Sequence, residues 1–422
     1  MANAFSKEER VAFEDILEGF NDALVLSRNV SMYNTDSTEM ERSNDTIWRP
    51  QPYIAESFDG LDQSGNFEDY TQMSVPATLG FTKSVPWIMD SKELRDALQE
   101  GRLGDAARQK LASDINVAIT NVASQQGTLV VAQSTAAAGF TDVAQAEALM
   151  NEIGVQPFDR YFAASTRDYN GMAENLANRN TVQGAVQSAY ENSYVGRIAS
   201  FDMFKMDYAN RLAAATATGV TVNGAGQYYT PQATSTAATG ETANVDNRYQ
   251  DLAVTVTGGT IAVGDCFTIA GVDSVHLITK QATGQPKTFR VTGIVSGGGG
   301  TGTIQISPPI ISNGGGTKAE TIYQNVDATP ANGAALTFLN TADAYINPFW
   351  QKDALEILPG RLAVPADAGA AVMRGTTDNG IEIVWQKQFD INTSKTKYRL
   401  DCLFGVVNKQ PEMSGIELFS QP

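Results

Sequence analysis

The chain has 422 residues, with 30 Lys and Arg against 47 Asp and Glu, a formal net charge of −17. That balance argues against wrapping phosphate backbones or lying on anionic lipid, since both require clustered Lys and Arg. With 42% hydrophobic and 18% charged residues the composition is globular, and the length allows two to three domains with substantial cores.

Residues 1–45 are polar and acidic. The start, Met1 to Lys7, lacks a basic stretch followed by an apolar one, so no signal peptide is expected. Ser6 and Glu9 have the spacing of a capping box, in which hydroxyl and carboxylate satisfy free amides at a helix start. Phe13, Ile16, Leu17, Phe20 and Leu24 then recur at helical spacing, with Glu14, Asp15, Glu18 and Asp22 on the opposite face. Such an amphipathic helix must pack on its own body or on a partner.

From Asp45 to Val85 the pattern is extended, punctuated by Trp48, Pro50, Pro52, Gly60, Gly65 and Asn66. Residues 61–67 read as the tip of a long loop, poor in large apolar side chains. A loop of this length without a core of its own is functional or leans on a neighbour. Asp105, following Gly104, is placed to cap a long helix. Leu111, Ile115, Ala118, Ile119 and Val122 form its apolar face, and Gly127 supplies its stop. That rod is on the order of 30 Å long at ~1.5 Å per residue. Residues 128–132 read as a buried strand, and 140–215 alternate helical stretches, such as Asp142 to Ile153, with short strands.

Near Gly219 the composition changes. Residues 221–345 hold 13 charged residues, about half the density of the rest, and 18 of the 37 glycines. Leu252, Val254 and Val256 alternate with Ala253, Thr255 and Thr257, and the pattern returns at Phe289 and Val291 and at Ile304 and Ile306. Short strands with glycine turns describe a β-barrel or sandwich inserted into a host domain. The glycine runs at 297–302 and 313–318 lack the order of a phosphate loop, no helix is expected after the first, and both read as turns.

Little chemistry is visible. The single histidine, His276, falls in a strand-like stretch and reads as a half-exposed strand residue, so Ser–His–Asp and histidine–zinc sites are not expected. Cys266 and Cys402 are far apart and form no CxxC, which excludes a disulfide framework or zinc module and fits a reducing cytoplasm. There is no calcium loop of the DxDxDG type and no apolar run near the ~18 residues of a membrane helix. Trp48, Trp87, Trp350 and Trp385 read as core or interface anchors. No catalytic, metal or cofactor site is expected. Arms and loops that cannot bury themselves favour a self-assembling structural protein over an enzyme.

Several strings resemble the coat proteins of Salmonella phage P-twenty-two type. Arg42 to Pro50 is similar to the start of their extended loop, and Ala106 to Ala112 with Gln126 to Val131 to their spine helix and the following strand. Thr216 to Val222 resembles the start of their inserted domain, and Asn244 to Tyr249 a segment within it. Cys402, Gly405 to Val407 and Pro411-Glu412 recur in similar order. The resemblance implies an α+β major capsid protein with the Hong Kong ninety-seven shell fold. Its parts would be an N-terminal arm (1–45), an extended loop (46–85), a peripheral domain with spine helix (86–130), an axial domain (131–220 with 346–422, the latter also completing the peripheral domain) and the inserted barrel (221–345).

The resemblance further implies pentamers and hexamers in an icosahedral procapsid, a scaffolding protein as partner, a portal protein at one vertex, and DNA enclosed without sequence-specific binding. Assembly is expected in the host bacterial cytoplasm and the product in the virion. Glu14, Asp15 and Glu18 are then candidate scaffold-docking residues, and Phe58, Phe67 and Tyr70 candidate intersubunit contacts. In one respect the chain departs from the family. Thr230 to Gly240, matching a loop that often carries Asp and Lys for contacts between capsomers, has no charge before Glu241. A tail or adhesin component with a receptor-binding β domain and a carboxylate-dependent glycan hydrolase are the alternatives.

Overall fold

Apolar residues at every second position build most of this α+β protein, and helical periodicity takes over in only a few segments. The structure is a computed structural model describing residues 7–23, 26–33, 46–64, 66–67, 69–90, 97–177, 195–364, 369–378 and 380–422. It divides into two compact units. One comprises Met1–Ile47, Pro76–Val122 and Leu355–Val407, the other Trp48–Val75, Ala123–Ala354 and Asn408–Pro422.

The first unit is built on a sheet ordered Ser31–Met32, Leu355–Pro359, Lys395–Asn408, Glu382–Asp390, Ala371–Thr376, with Phe81–Asp90 also paired to Lys395–Asn408. Trp385 and Tyr398 are fully buried there, and Trp87 stacks on Tyr398 at 5.6 Å. The N-terminal helix, Lys7–Ala23, packs on this same body. Phe13 lies 5.8 Å from the Trp385 ring, and Ile16 is buried. Glu9 pairs with Lys387; Ser6 and Leu24 lie outside the described residues.

The long helix runs Ala97–Gln126, starting eight residues before the expected cap. Its 30 residues make it about 45 Å long at 1.5 Å per residue. Asp105 is therefore not a cap. It sits inside the helix, 3.4 Å from Arg108. Gly104, expected just before the helix, is an interior position where a Cβ would come within 2.8 Å of Ile16 Cδ1. The missing side chain admits the N-terminal helix, an advantage that outweighs its cost of ~1 kcal/mol relative to alanine.

In the second unit a mixed sheet is ordered Leu129–Ala132, Ser414–Leu418, Asn347–Gln351, Arg160–Ser165, Phe201–Met206, Arg197–Ile198. Helices Phe140–Ile153 and Thr166–Ala177 contribute Met150 and Met172 to its core, alongside Phe162, Phe201 and Phe349. The strand expected at 128–132 and the helix expected at 142–153 are both present. The helix begins at Phe140 because Asp142 caps from within it, accepting from the amides of Ala138 (2.6 Å) and Gly139 (3.0 Å). The chain end returns to the middle of this sheet, where Gly415 lets it lie against the strand at 129. A Cβ there would meet Leu129 O at 2.5 Å and the Phe349 ring at 2.4 Å.

The same unit contains the barrel. Its strands are ordered Thr221–Val222, Gln250–Val256, Gly300–Ser307, Ala282–Ser296, Cys266–Val275, Leu336–Phe338. Bonds from Val222 N to Ala334 O and from Leu336 N to Val220 O, each 2.9 Å, close the ends on each other. The expected alternation holds: Leu252, Val254, Val256, Phe289, Val291, Ile304 and Ile306 all point into one core. The 297–302 run is a hairpin turn.

The 313–318 run is a turn, as expected, and leads into the short helix Lys318–Tyr323, with Thr317 Oγ1 capping Glu320 N. The loop is still no anion cradle. The buried Glu320 carboxylate accepts from Gly315 N (2.7 Å) and from the Thr230 hydroxyl, so the negative group is already built in.

Candidate functional site

The groups most often used in catalysis are committed elsewhere. His276 follows the strand Cys266–Val275 directly and, half-buried, caps a turn: its Nδ1 accepts from the amides of Ile278 and Thr279, both at 3.2 Å. Cys266 and Cys402 are buried, and burial pushes their thiols up to about 11 and about 12, far from a reactive thiolate. Among the described residues no three His, Cys, Asp or Glu side chains are grouped to hold a metal. What the structure presents instead is surface.

The extended loop is the most exposed of these surfaces. Its limbs are joined by Gln51 N donating to Met73 O (2.9 Å). They are held by the barrel. The Tyr323 hydroxyl donates to Thr71 O (2.9 Å), and Ile54, Met73 and Tyr229 pack on Ile311, Ile322 and Tyr323. Lys318 Nζ lies 5.5 Å from the Phe58 ring and 5.6 Å from the Tyr70 ring, a double cation–π contact. Of the three expected contact residues, the structure thus brings Phe58 and Tyr70 together around a lysine of the same chain. Phe67 stands apart, 85% exposed, beside Leu61, which is wholly exposed. Leu61 was missed because one leucine among polar residues carries no periodic signal. The tip is shaped by Gln63, whose Nε2 donates to Gly60 O (2.7 Å), and by Asp62, which accepts from Ser64 N (3.1 Å). That bond lowers the Asp62 pKa.

On the N-terminal helix Glu14, Asp15 and Glu18 are all exposed, with 14 and 18 one turn apart. Arg10 stands one turn before Glu14 and is also exposed, so the face is not purely acidic. The uncharged stretch from Thr230 to Gly240 enters a two-stranded hairpin, Thr234–Thr236 with Thr242–Asn244, every strand residue of which is exposed.

Beneath these surfaces, buried charges tie the barrel to the rest of its unit. Arg290 is buried, and its guanidinium donates to the carbonyls of Ser124 and Gly127 (3.3 Å for the latter) at the C-terminus of the long helix. A cation there meets the negative end of the helix dipole. Burial pulls the Arg290 pKa down while the position stays cationic. The Thr288 hydroxyl donates to Thr128 O (2.8 Å). Lys287, also buried, pairs with Glu412, and Arg248 bridges Asp246 (2.7 Å) and the carbonyl of Asn408 (3.0 Å). None of these pairings has a local sequence signature.

The sequence matches the family described as P22 coat protein, gene protein 5, over residues 1–420. Among solved structures, the I-domain of the CUS-3 coat protein is 41% identical, covering 31% of this chain and 99% of that one at a TM-score of 0.22. A chain from Mycobacterium phage Che8 is 9% identical, with coverage of 93% and 90% and a TM-score of 0.44. A chain from the satellite phage P4 procapsid that includes size determination (Sid) protein is 6% identical, with coverage of 96% and 90% and a TM-score of 0.39. The family match spans nearly the whole chain, and its members are structural rather than enzymatic. The chain belongs to the P22 coat protein family: it is a major capsid protein of a phage head, a virion component that builds its shell from copies of itself.

Proposed function

We propose that the protein assembles into the pentamers and hexamers of an icosahedral head. Assembly starts in the host bacterial cytoplasm as a procapsid around a scaffolding protein, with a portal protein at one vertex, and the shell expands as double-stranded DNA is packaged. The observation that carries this reading is the loop tip, where Leu61 and Phe67 lie bare at the end of a stem that the barrel holds in place. Burying each against a neighbouring copy gains ~1.5–3 kcal/mol, which a free subunit forgoes. Expression with and without the scaffolding protein, followed by negative-stain imaging, tests the proposal. Closed shells of uniform size are expected with scaffold and aberrant ones without it; a discrete small oligomer under both conditions would refute it.

Within this scheme the division into arm (1–45), extended loop (46–85), peripheral, axial and inserted (221–345) parts assigns the work. The inserted barrel stabilises the subunit through Arg290, Lys287 and Arg248 and helps to fix capsomer contacts. The exposed hairpin around 234–244 meets a neighbour without ion pairs. Glu14, Asp15 and Glu18 dock a basic segment of the scaffold, weakly and with strong salt dependence, since exposed pairs contribute ~0.2–1 kcal/mol each. A net charge of −17 leaves the shell no general attraction for the DNA it encloses.

A further inference from the structure

A cavity of about 590 Å³ lies within the second unit. Ile54 and Met73 come from the two limbs of the extended loop, Ile278 and Ile311 from the barrel, and Pro411 and Met413 from the segment before the last strand, with Gln156 and Asp353 completing the wall. Most of the charged groups at its border are committed to neighbours. Arg248 donates to Asp246 and to the Asn408 carbonyl, and Glu412 accepts from Lys287 and Asn325. Asn247 is bonded to Gln232 and Tyr229, and Gln51 Nε2 donates to Lys409 O (2.7 Å). Among the described residues, none of the buried polar atoms lacking a partner lines this space.

These features select the kind of occupant. An extended peptide brings an amide donor and acceptor at every residue, and a mostly apolar wall with a few polar groups, such as Gln156 and Gln410, leaves most of them unsatisfied. An anion would find Arg248 already paired with Asp246, and a cation only the exposed Asp353 carboxylate. The volume falls within the ~300–1,000 Å³ of small-molecule pockets, which are mostly apolar with few polar groups. We propose that this cavity is a binding site for an uncharged, apolar small molecule, and that its occupancy pins the base of the extended loop to the barrel. A ligand touching Ile54, Met73, Ile311 and Pro411 together stabilises only the arrangement in which loop, barrel and C-terminal segment are all in place. Nothing in the proposal depends on shell assembly, because the dispersed subunit is the species measured.

The probe is Nile red, a neutral apolar dye, titrated into the full-length dispersed subunit. Saturable fluorescence with one site per chain is expected, with a melting temperature that rises with dye concentration and slower proteolytic cleavage between residues 56 and 70. Ile278→Asp places a carboxylate at a position 66% exposed, where folding is insensitive to it, and should weaken binding at least tenfold. Met73→Trp fills the space and should abolish binding without lowering the melting temperature; should that variant fail to fold, Ile278→Asp decides. Absence of saturable binding, or unchanged affinity in Ile278→Asp, overturns the site. Tight binding with unaltered loop cleavage overturns the pinning.

Discussion

Replacing Glu417 by glutamine should stabilise the subunit, and increasingly so as pH rises. Glu417 is fully buried in the strand Ser414–Leu418. Its Oε1 accepts from Gln133 Nε2 (3.1 Å), and its Oε2 has no partner among the described residues. Burial, and the nearby carboxylates of Asp142 and Asp168, push its pKa from 4.5 to about 8. At ~1.4 kcal/mol per pH unit, ionising the side chain in place costs on the order of 5 kcal/mol. The folded pKa lies above the unfolded one, so the folded state binds the proton more tightly. Stability from this group is complete below pH 4.5, falls as pH rises towards 8, and levels off above it. Glutamine carries no charge at any pH and is nearly isosteric. Urea unfolding of the dispersed subunit at pH 5, 6, 7 and 8 should give two midpoint curves that diverge, the difference growing by roughly 3–4 kcal/mol across the series at an unchanged slope. Parallel curves would refute the reasoning and mean that the carboxylate is ionised and solvated in the folded chain.

Arg290→Met removes the charge that the barrel places at the carbonyls of Ser124 and Gly127 and should destabilise the subunit by ~2–4 kcal/mol, since hydrogen bonds to charged groups contribute ~1.5–3 kcal/mol and an orphaned carbonyl adds to the loss. Chemical denaturation measures it, and Arg290→Lys should recover part. The double variant Leu61→Ser with Phe67→Ser changes only exposed positions and should melt within a degree or two of the parent while giving few closed shells by sedimentation; normal shell yield counts against the tip as a contact. Charge reversal at Glu14 and Asp15 should leave melting unchanged but lower the scaffold content of procapsids at low salt, and scaffold content equal to the parent would return this helix to a purely structural role.

Local patterns carried far in this chain. The stripe through Phe13 and Ile16, the alternation through Leu252, Val254 and Val256, and the apolar face of the 140–153 helix are short-range signals, and burial in the structure follows them. The misplacements share one cause, a side-chain contact that overrides a backbone pattern. Gly104 reads as a helix boundary until Ile16 is seen to occupy the space its side chain would fill. His276, assigned to a strand, caps the turn after it through its ring nitrogen. The candidate surfaces were legible by residue type but not by arrangement. Phe58 and Tyr70 lie far in sequence from Lys318, which draws them together, so composition alone placed them on a neighbour.

That arrangement bears on what a coat subunit must do. Fixing one residue of backbone costs ~1–2 kcal/mol, and a loop without its own core would forfeit that sum at every position if it ordered only on meeting a neighbour. Here the stem is ordered beforehand. Tyr323 holds Thr71, Lys318 holds Phe58 and Tyr70, and Ile311 and Ile322 receive Ile54 and Met73. The barrel can bear that load because its own foundation is buried: Arg290 is seated on the end of the long helix, and Lys287 on Glu412. At the tip Leu61 and Phe67 remain bare, and under the proposed function association covers them. Binding to a preordered stem spends less of the contact energy on chain entropy, so a contact small in area can still be strong enough to hold neighbouring copies. Under the proposed function, the inserted domain would then act on assembly through the loop it supports as well as through any surface of its own.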